Sequence, residues 1–467
     1  QDTQPAQEAK SHNKSSGDSL VSKVPASMVK VRQLHPKPIF DEPSLRNFMS
    51  RYDAKPIHIP RIWKHLMAHP ECPLDEIPGI PAHIRAPLRD EFAYLTSSVT
   101  EVMESAIDGT IKMLIRLQDG GEVEAVLIHQ TQQIVSGEQS EAGERDTLCV
   151  SSQVGCRLGC TFCATGTMGL QGNLTSGEIQ EQLVHARALR PVSNIVFMGM
   201  GEPLENYEGV VQAIRGLVDR SRFAMSQRRI TVSTVGLVTH MRRLMDDLPQ
   251  IKLALSLHAP TQELREQIVP LAKTHKIDAL LDVLDEYEDK LKSSSQRSGL
   301  RTNKIMVSYV LLSGVNDSDS HAYQLRDLMK DRLVTINLIP YNPFEGNTHA
   351  YETPPPERID SFSKILESSG VHVMERRHHG RDIAAACGQL AKVKVEAAPP
   401  TLLADIESGT CKISKELLRE QHTAVTRSRR KPHTAFGFLD GKLLHLAAGI
   451  VGSGLVAAYL MRHRRWR

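Results

Sequence analysis

The sequence predicts an α/β protein, with a parallel sheet or barrel at its centre, a small α+β module before it and a basic extension after it. Three observations predict this. Six short β-rich runs, TLCVSSQ, NIVFMGMG, RITVSTVG, IKLALSLH, KIMVSYVLL and TINLIPYNPF, alternate with helical stretches such as SGEIQEQLVHARAL, YEGVVQAIRGLV and SDSHAYQLRDLMK. Strands separated by helices pair in parallel through crossovers. Upstream, segments with apolar residues at spacings of three and four lead into a hairpin pattern, and beyond Ala398 both kinds of pattern stop.

The chain has 467 residues, enough for one large core with smaller modules. Hydrophobic content of 40% and charged content of 24% are those of a globular protein. Aromatic residues are sparse, which argues against a surface built on stacking. Lys412 to Arg467 carries 12 Lys/Arg against 3 Asp/Glu, whereas the preceding residues carry 45 against 51. A broad attraction to nucleic acid or to an anionic membrane is therefore expected of the tail and not of the body. Seven cysteines, four of them inside twenty residues, do not form a secreted disulfide framework. Their clustering points to a metal site in a reducing compartment.

In chain order, residues 1–36 are polar, rich in Ser, Gln and Lys, and predicted to lack structure. They contain no apolar h-region, so no secretory signal is read there. Residues 37–130 form the accessory module. SLRNFMSRY, IPRIWKHLM and APLRDEFAYL read as helices, within a helical pattern that runs to Gly109. TIKMLIRL, Asp119-Gly120-Gly121 and EVEAVLI then read as a β-hairpin. Residues 131–395 hold the six strands, a last helix near Glu357–Ser369, a short strand VHVME and a closing segment, Ile383–Leu390. Residues 396–467 form the extension. Within it, residues 443–461 read LLHLAAGIVGSGLVAAYLM, followed by RHRRWR. A spanning helix needs about 20 apolar residues, so a membrane anchor and an appended packing helix both stay open.

The chemistry is concentrated in TLCVSSQVGCRLGCTFCATG, Thr147 to Gly166, where Cys156, Cys160 and Cys163 form C-x3-C-x2-C. A structural zinc site is closed by four ligands, and a [4Fe–4S] cluster commonly takes four thiolates. Cys149 is a poor fourth ligand, seven residues upstream on a strand, and Cys72, Cys387 and Cys411 bring no paired partner. Three thiolates on a cluster would leave one iron open for a substrate or cofactor. The later strands end in polar or glycine residues: Gly201-Glu202 in MGMGEPL, Ser233, Ser256-Leu257-His258 and Asn342. C-terminal strand ends form the site of a (β/α) barrel. Each of these residues alone is ordinary; together they look like the mouth of a cofactor-binding barrel. Zinc remains open on residue types alone.

The triplet, with Phe162 before its last cysteine, resembles the signature of the radical SAM superfamily, whose open iron is chelated by S-adenosylmethionine (SAM). From about Leu45 to about Val393 the chain resembles the radical SAM adenine-C2 RNA methyltransferases, bacterial-type enzymes of dual specificity for 23S ribosomal RNA and tRNA. TLCVSSQVGC, FMGMGEPL, RRITVSTVG, LSLHAP, NLIPYNPF and DIAAACGQL carry the likeness, and a sister family methylating adenine C8 shares them. The resemblance implies a partial (β/α)6 radical SAM barrel, one [4Fe–4S] cluster per chain and SAM as cofactor. It implies Cys156, Cys160 and Cys163 as cluster ligands, and Gly201, Glu202, Ser233, Ser256, Leu257, His258 and Asn342 as SAM contacts. It implies Cys387 as the cysteine that becomes S-methylated, Cys149 as its disulfide partner and Glu124 as proton acceptor. The segment between Glu124 and Cys149 is longer than the family pattern.

Adenine C2 has no lone pair and cannot attack a sulfonium methyl group, so a thiolate must take the methyl first. Without the resemblance, Cys387 would read as a small buried residue of an Ala-rich helix. Arg228-Arg229, ERRHHGRD (375–382) and the N-terminal module could meet RNA phosphates, though such charges usually face solvent. Expected partners are rRNA and tRNA, with a one-electron donor such as flavodoxin or ferredoxin, and the chain is expected to be a monomer. The compartment expected is the cytoplasm, with plastid or mitochondrial matrix as the alternative. Competing functions are adenine-C8 methylation on the same scaffold and a non-catalytic Fe–S or zinc RNA-binding protein.

Overall fold

The computed structural model describes residues 32–130, 145–298, 305–376 and 378–391. The expectations for residues 1–31, Cys411 and the apolar run at 443–461 fall outside them. Among the described residues no helix is long and apolar enough to cross a membrane.

The chain opens with β1 (Lys37–Pro38), α1 (Glu42–Arg51), α2 (His58–Ala68), α3 (Ala82–Glu91) and β2 (Phe92–Ala93). The three helices match the apolar spacings. Each turns a buried face inward: Leu45, Phe48 and Met49 from α1; Ile59, Ile62, Trp63 and Leu66 from α2; Ile84 and Leu88 from α3. Then come β3 (Ser98–Glu104), β4 (Ile111–Arg116), β5 (Glu122–Gln130) and β6 (Arg145–Cys149). β3 corrects the sequence-based expectation, which ran the helical pattern to Gly109. Its residues SVTEVME show no strict alternation, but they include two valines and a threonine, which fit a pleated surface. The expected hairpin is β4–β5, and β3 extends it through an antiparallel ladder bulged between Val99 and Glu101.

A small hairpin that the sequence had not suggested follows, β7 (Gln153–Cys156) and β8 (Gly169–Asn173), enclosing α4 (Ala164–Thr167). The alternation then runs α5 (Ser176–Leu189), β9 (Asn194–Phe197), α6 (Tyr207–Val218), β10 (Ile230–Thr234), α7 (Val238–Asp247), β11 (Lys252–Ser256), α8 (Gln262–Ile268), α9 (Ile277–Ser298), β12 (Ile305–Leu311), α10 (Asp319–Met329), β13 (Val334–Pro340), α11 (Pro356–Glu367) and β14 (His372–Glu375). β6 and β9–β14 pair in parallel, in sequence order, as a partial barrel of the expected kind. On its other edge β6 pairs antiparallel with β5, so the accessory strands and the barrel share one ten-stranded sheet.

Apolar strand interiors follow from this topology. β13 is buried at every position, as expected of a strand covered on both faces. One core cluster runs from Ile39 to Leu390 through both parts of the sheet, and a second lies under the strand ends around Val235, Ala259, Val310 and Tyr341. Arg32, inside the segment expected to lack structure, is pinned by carboxylates: its guanidinium binds Glu178 at 2.7 Å and Asp119 at 2.5 Å.

Candidate active site

The cysteine triplet sits where β7 hands over to a loop. Gly155 at the hairpin base has φ +73°, and a Cβ there would meet the Gly169 carbonyl oxygen at 1.9 Å. Only glycine closes this turn. Thr161 N–H donates to the Ile268 carbonyl at 3.1 Å, and Ala164 N–H to the Gly388 carbonyl at 2.8 Å. The loop is thereby tied to α8 on one side and to the chain around Cys387 on the other. Cys156, Cys160 and Cys163 all face one cavity of ≈ 1000 Å³, open to solvent. Burial pushes the Cys156 thiol up to about 12, and raises Cys160 and Cys163 as well. The negative charges of neighbouring thiolates add to the rise, while backbone N–H groups of Leu158 and of Thr165 and Gly166 offset part of it at Cys156 and Cys163.

The strand ends complete the cavity: Gly201, Glu202, Ser233, Ser256, His258 and Asn342 all line it. Gly201 has φ +96°, and a Cβ would strike the Gln153 side chain at 2.5 Å. Glu202 is held by two backbone donors, Leu204 N–H to Oε1 and Val235 N–H to Oε2, each at 3.0 Å. Burial still pushes its carboxyl up to about 7. Val310 N–H donates to His258 Nδ1 at 3.1 Å, which leaves the ring proton on Nε2. Burial drives that imidazole down to about 3, so it is neutral. Ser233 and Ser256 pair at 3.2 Å. Leu257 is the exception. Its side chain belongs to the core and lines neither of the cavities described here, so it could meet a ligand only through its backbone.

A second, smaller cavity adjoins the first. Cys149 and Cys387 both line it, and Cys387 also lines the larger one. Met198, Ile339, Asn342, Arg376 and Leu390 share that dividing wall. Both thiols are free. Burial pushes Cys149 up to about 12; the nearby Arg376 charge pulls it down, and the Cys387 charge raises it.

Cys387 is not on a helix, a correction to the sequence-based alternative. A short 3-10 turn, Arg381–Ile383, gives way to irregular chain with Ala384 and Gly388 at φ +50° and +87°. Alanine's helix propensity is overridden here by long-range hydrogen bonds: Asn342 Nδ2 donates to the Cys387 carbonyl at 3.2 Å, and Gln389 Nε2 to Pro343 O at 2.7 Å. Glu124 lies on the β5 face that carries Val126 and Ile128, which line the smaller cavity, but it does not line that cavity itself. It is buried and paired with Lys112 Nζ at 3.2 Å.

The radical SAM superfamily model matches residues 150–326. The chain is 40% identical over 356 residues to the probable dual-specificity RNA methyltransferase RlmN of Rhodopirellula baltica, covering 75% of this chain and 89% of that protein. It is 39% identical to the dual-specificity RNA methyltransferase RlmN of Pelobacter propionicus, over 76% of this chain and 95% of that one. It belongs to the radical SAM dual-specificity RNA methyltransferase family. The crystal structure of a radical SAM methyltransferase from Sphaerobacter thermophilus superposes with a TM-score of 0.65 at 36% identity, covering 76% of this chain and 99% of that one.

Radical SAM methyltransferases take an iron–sulfur cluster and SAM, and the donor set here fits both. Three soft thiol ligands, crowded and held partly by N–H donors, are disfavoured as bare anions and would be relieved by iron. Among the described residues, no three His, Cys, Asp or Glu side chains are arranged around a single metal ion. Glu202 offers a carboxylate to an ammonium group, while the neutral His258 offers an Nε2–H donor. Sequence reasoning missed Met198 and Arg376 as wall residues. Arg376 stood inside ERRHHGRD, where its charge was indistinguishable from a solvated surface.

Proposed function

We propose that this methyltransferase installs a methyl group on C2 of adenine in 23S-type ribosomal RNA and tRNA, using Cys387 as methyl carrier and Cys149 as the thiol that releases the product. The observation that carries this is the position of Cys387 on the wall between two cavities, one holding the cysteine triplet and the other Cys149. A cysteine with only a structural role would not need to face both.

In this reading Cys156, Cys160 and Cys163 hold one [4Fe–4S] cluster, and the cavity beside them takes SAM. Bound together, these cofactors supply reductive cleavage of SAM to a carbon radical able to remove hydrogen from a methyl group. Glu202 orients SAM through its ammonium, with Ser233, Ser256, His258 and Asn342 around it. Cys387 accepts a methyl group on sulfur, giving up its thiol proton, and presents it to the larger cavity. After that methyl carbon is joined to C2, the Cys149 thiolate bonds to the Cys387 sulfur. The sulfur–carbon bond breaks and its electron pair stays with carbon, which takes a proton, while the C2 proton goes to a base and the single electron released with that proton passes to an external one-electron acceptor, such as the oxidised form of the electron donor. Glu124, oriented by Lys112, is the candidate base. The disulfide left behind must be reduced by an external dithiol, and the cluster by a one-electron donor such as flavodoxin or ferredoxin. Arg376, beside Cys149, favours its thiolate. A looped-out adenine is the form of RNA such a pocket can admit.

Mass spectrometry of adenosines from rRNA and tRNA incubated with cluster-loaded enzyme and SAM tests the assignment. 2-Methyladenosine is expected, and 8-methyladenosine would overturn it in favour of the sister reaction. About four irons per chain are expected after anaerobic reconstitution. Zinc without iron would instead favour a binding module.

A further inference from the structure

Arg265 on α8 is fully buried, one of the largest side chains with no exposure. Its guanidinium is solvated by carbonyl groups: Nε donates to Leu257 O at 3.0 Å, Nη1 to His275 O at 3.2 Å, and Nη2 to Val235 O at 2.5 Å and Ser256 O at 3.3 Å. Among the described residues no carboxylate pairs with it, whereas Arg222, also deeply buried, pairs with Glu42 at 2.7 Å. Burying a cation on neutral dipoles alone is costly, and such charges are ordinarily paired. Burial lowers its pKa to about 10, and negative charge on the Cys160 sulfur acts in the opposite direction. The same helix reaches the triplet directly, through Ile268 O and Thr161 N–H at 3.1 Å. Leu264, beside Arg265 in sequence, packs in the same small core cluster as Cys160 and Phe162.

We propose that Arg265 is the counter-charge of the iron–sulfur group held at Cys156, Cys160 and Cys163, and that it keeps that group's reduction potential from falling too low to be reached by its electron donor. The proposal rests on the reading of those three cysteines as cluster ligands. Adding an electron makes the cluster more negative, so a fixed positive charge in a low-dielectric surrounding favours the reduced form. The four carbonyl acceptors hold the guanidinium in place, and they come from the ends of β10 and β11 and from the turn that precedes α9. Arg265 thus acts through the ligand loop and touches no substrate; it is a positioning and tuning residue.

The test is the midpoint potential of the full-length, anaerobically reconstituted protein, followed by electron paramagnetic resonance during a redox titration. Arg265→Gln should make the one-electron reduction at least tenfold less favourable, about 59 mV more negative. Arg265→Lys, which keeps the charge but not the clamp, should stay near the wild-type potential. His275→Glu provides an independent arm that leaves the clamp intact. Its half-buried imidazole already senses the Arg265 charge, so a carboxylate there should partly neutralise the guanidinium. This variant should also shift the potential negative, by less than Arg265→Gln. Equal shifts in the Gln and Lys variants, or an unmoved potential in His275→Glu, would overturn the counter-charge. Iron content separates this from failure of the underlying reading. Wild-type protein that binds no iron disproves the ligand assignment, whereas fully loaded protein with unmoved potentials disproves the role of Arg265.

Discussion

Two glutamates in this fold experience nearly the same burial and do opposite things. Glu181 on α5 and Glu202 after β9 are both buried, and burial pushes each carboxyl up to about 7. Glu181 lines neither cavity. Its Oε1 accepts from Thr96 N–H at 2.9 Å and Thr96 Oγ1 at 3.0 Å, and its Oε2 accepts from Ser97 N–H at 2.9 Å and from the Ser97 hydroxyl. It is saturated, and it ties the accessory segment to the barrel. Glu202 has two backbone N–H partners and the Thr234 hydroxyl, one fewer than Glu181, and it faces an open cavity beside three thiols. A raised carboxyl alone therefore does not mark a site. What distinguishes the two is spare hydrogen-bonding capacity directed into space that a ligand can enter.

The largest expected effects lie on the cavity side. Cys387→Ala should remove all methylated product, measured by mass spectrometry of the RNA; normal methylation would end the two-cysteine mechanism. Cys149→Ala should stop the reaction one step later, leaving RNA covalently joined to Cys387 as a slow-migrating band on a denaturing gel. Glu202→Gln should weaken SAM binding to the cluster-loaded enzyme about 10- to 100-fold, the loss of one charge-assisted hydrogen bond in a buried site, with little change in thermal unfolding. Glu181→Ala should do the reverse. It strands the Thr96 and Ser97 donors and should cost about 3 kcal/mol of stability, read from denaturant unfolding, while SAM affinity holds. If Glu181→Ala weakens SAM binding as much as Glu202→Gln does, the distinction between the two carboxyls fails.

The barrel strands and cavity-lining strand ends were legible in the sequence because both obey local rules. Runs such as NIVFMGMG and IKLALSLH announce a strand and then its polar end, and C-x3-C-x2-C lies within one loop. The α5 hub was not legible. Glu178, Gln180, Glu181 and Gln182 are polar types ordinarily found on solvated helix faces, yet all are buried, because each also has partners 31 to 146 residues away in sequence. Ser98–Glu104 was lost for a related reason, since its pairing with β4 outweighs local pattern. The conformation around Cys387 likewise depends on Asn342, Pro343 and Ala164, none of them near it in the chain.

The pH dependence sharpens the same comparison. At Glu202 the ionised form is the one a SAM ammonium favours, so affinity should rise with pH through about 7. Between pH 8 and pH 6 it should fall about tenfold, and Glu202→Gln should abolish that slope. Glu181 has a folded pKa above its unfolded value of about 4.5. Its protonated form is favoured by folding, so its contribution is full below pH 4.5 and is lost as pH rises through 7. The stability of the wild type should therefore fall over that window, and because Glu202 is raised to the same value, Glu181→Ala should remove only part of that slope, without changing how SAM binding responds to pH. An identical pH slope for SAM binding in the wild type and in Glu202→Gln would remove Glu202 from the cavity's chemistry.

The smallest effect probes how finely the hub can be separated from the cavity. Thr175 caps α5 in a reciprocal capping box: its hydroxyl accepts from Glu178 N–H at 3.2 Å, and Glu178 Oε2 accepts from Thr175 N–H at 2.9 Å. Thr175→Ala removes the first of these, together with the hydroxyl's own donation to Glu178 Oε2 at 3.0 Å, and leaves the second. Glu178 also keeps its two bonds from Arg32, at 2.7 and 2.8 Å, so the carboxylate does not lose its place. The expected cost is about 1 kcal/mol, seen as a lower denaturant midpoint with an unchanged slope. SAM affinity and iron content should match the wild type, because among the described residues the hydrogen bonds from α5 to the chain immediately after β6 are those between Gln182 and the Ser151 backbone, at 2.9 Å in both directions. A loss of iron or of SAM affinity in Thr175→Ala would mean that this single contact carries strain from the hub into the cysteine loop, and that the two regions are one cooperative unit.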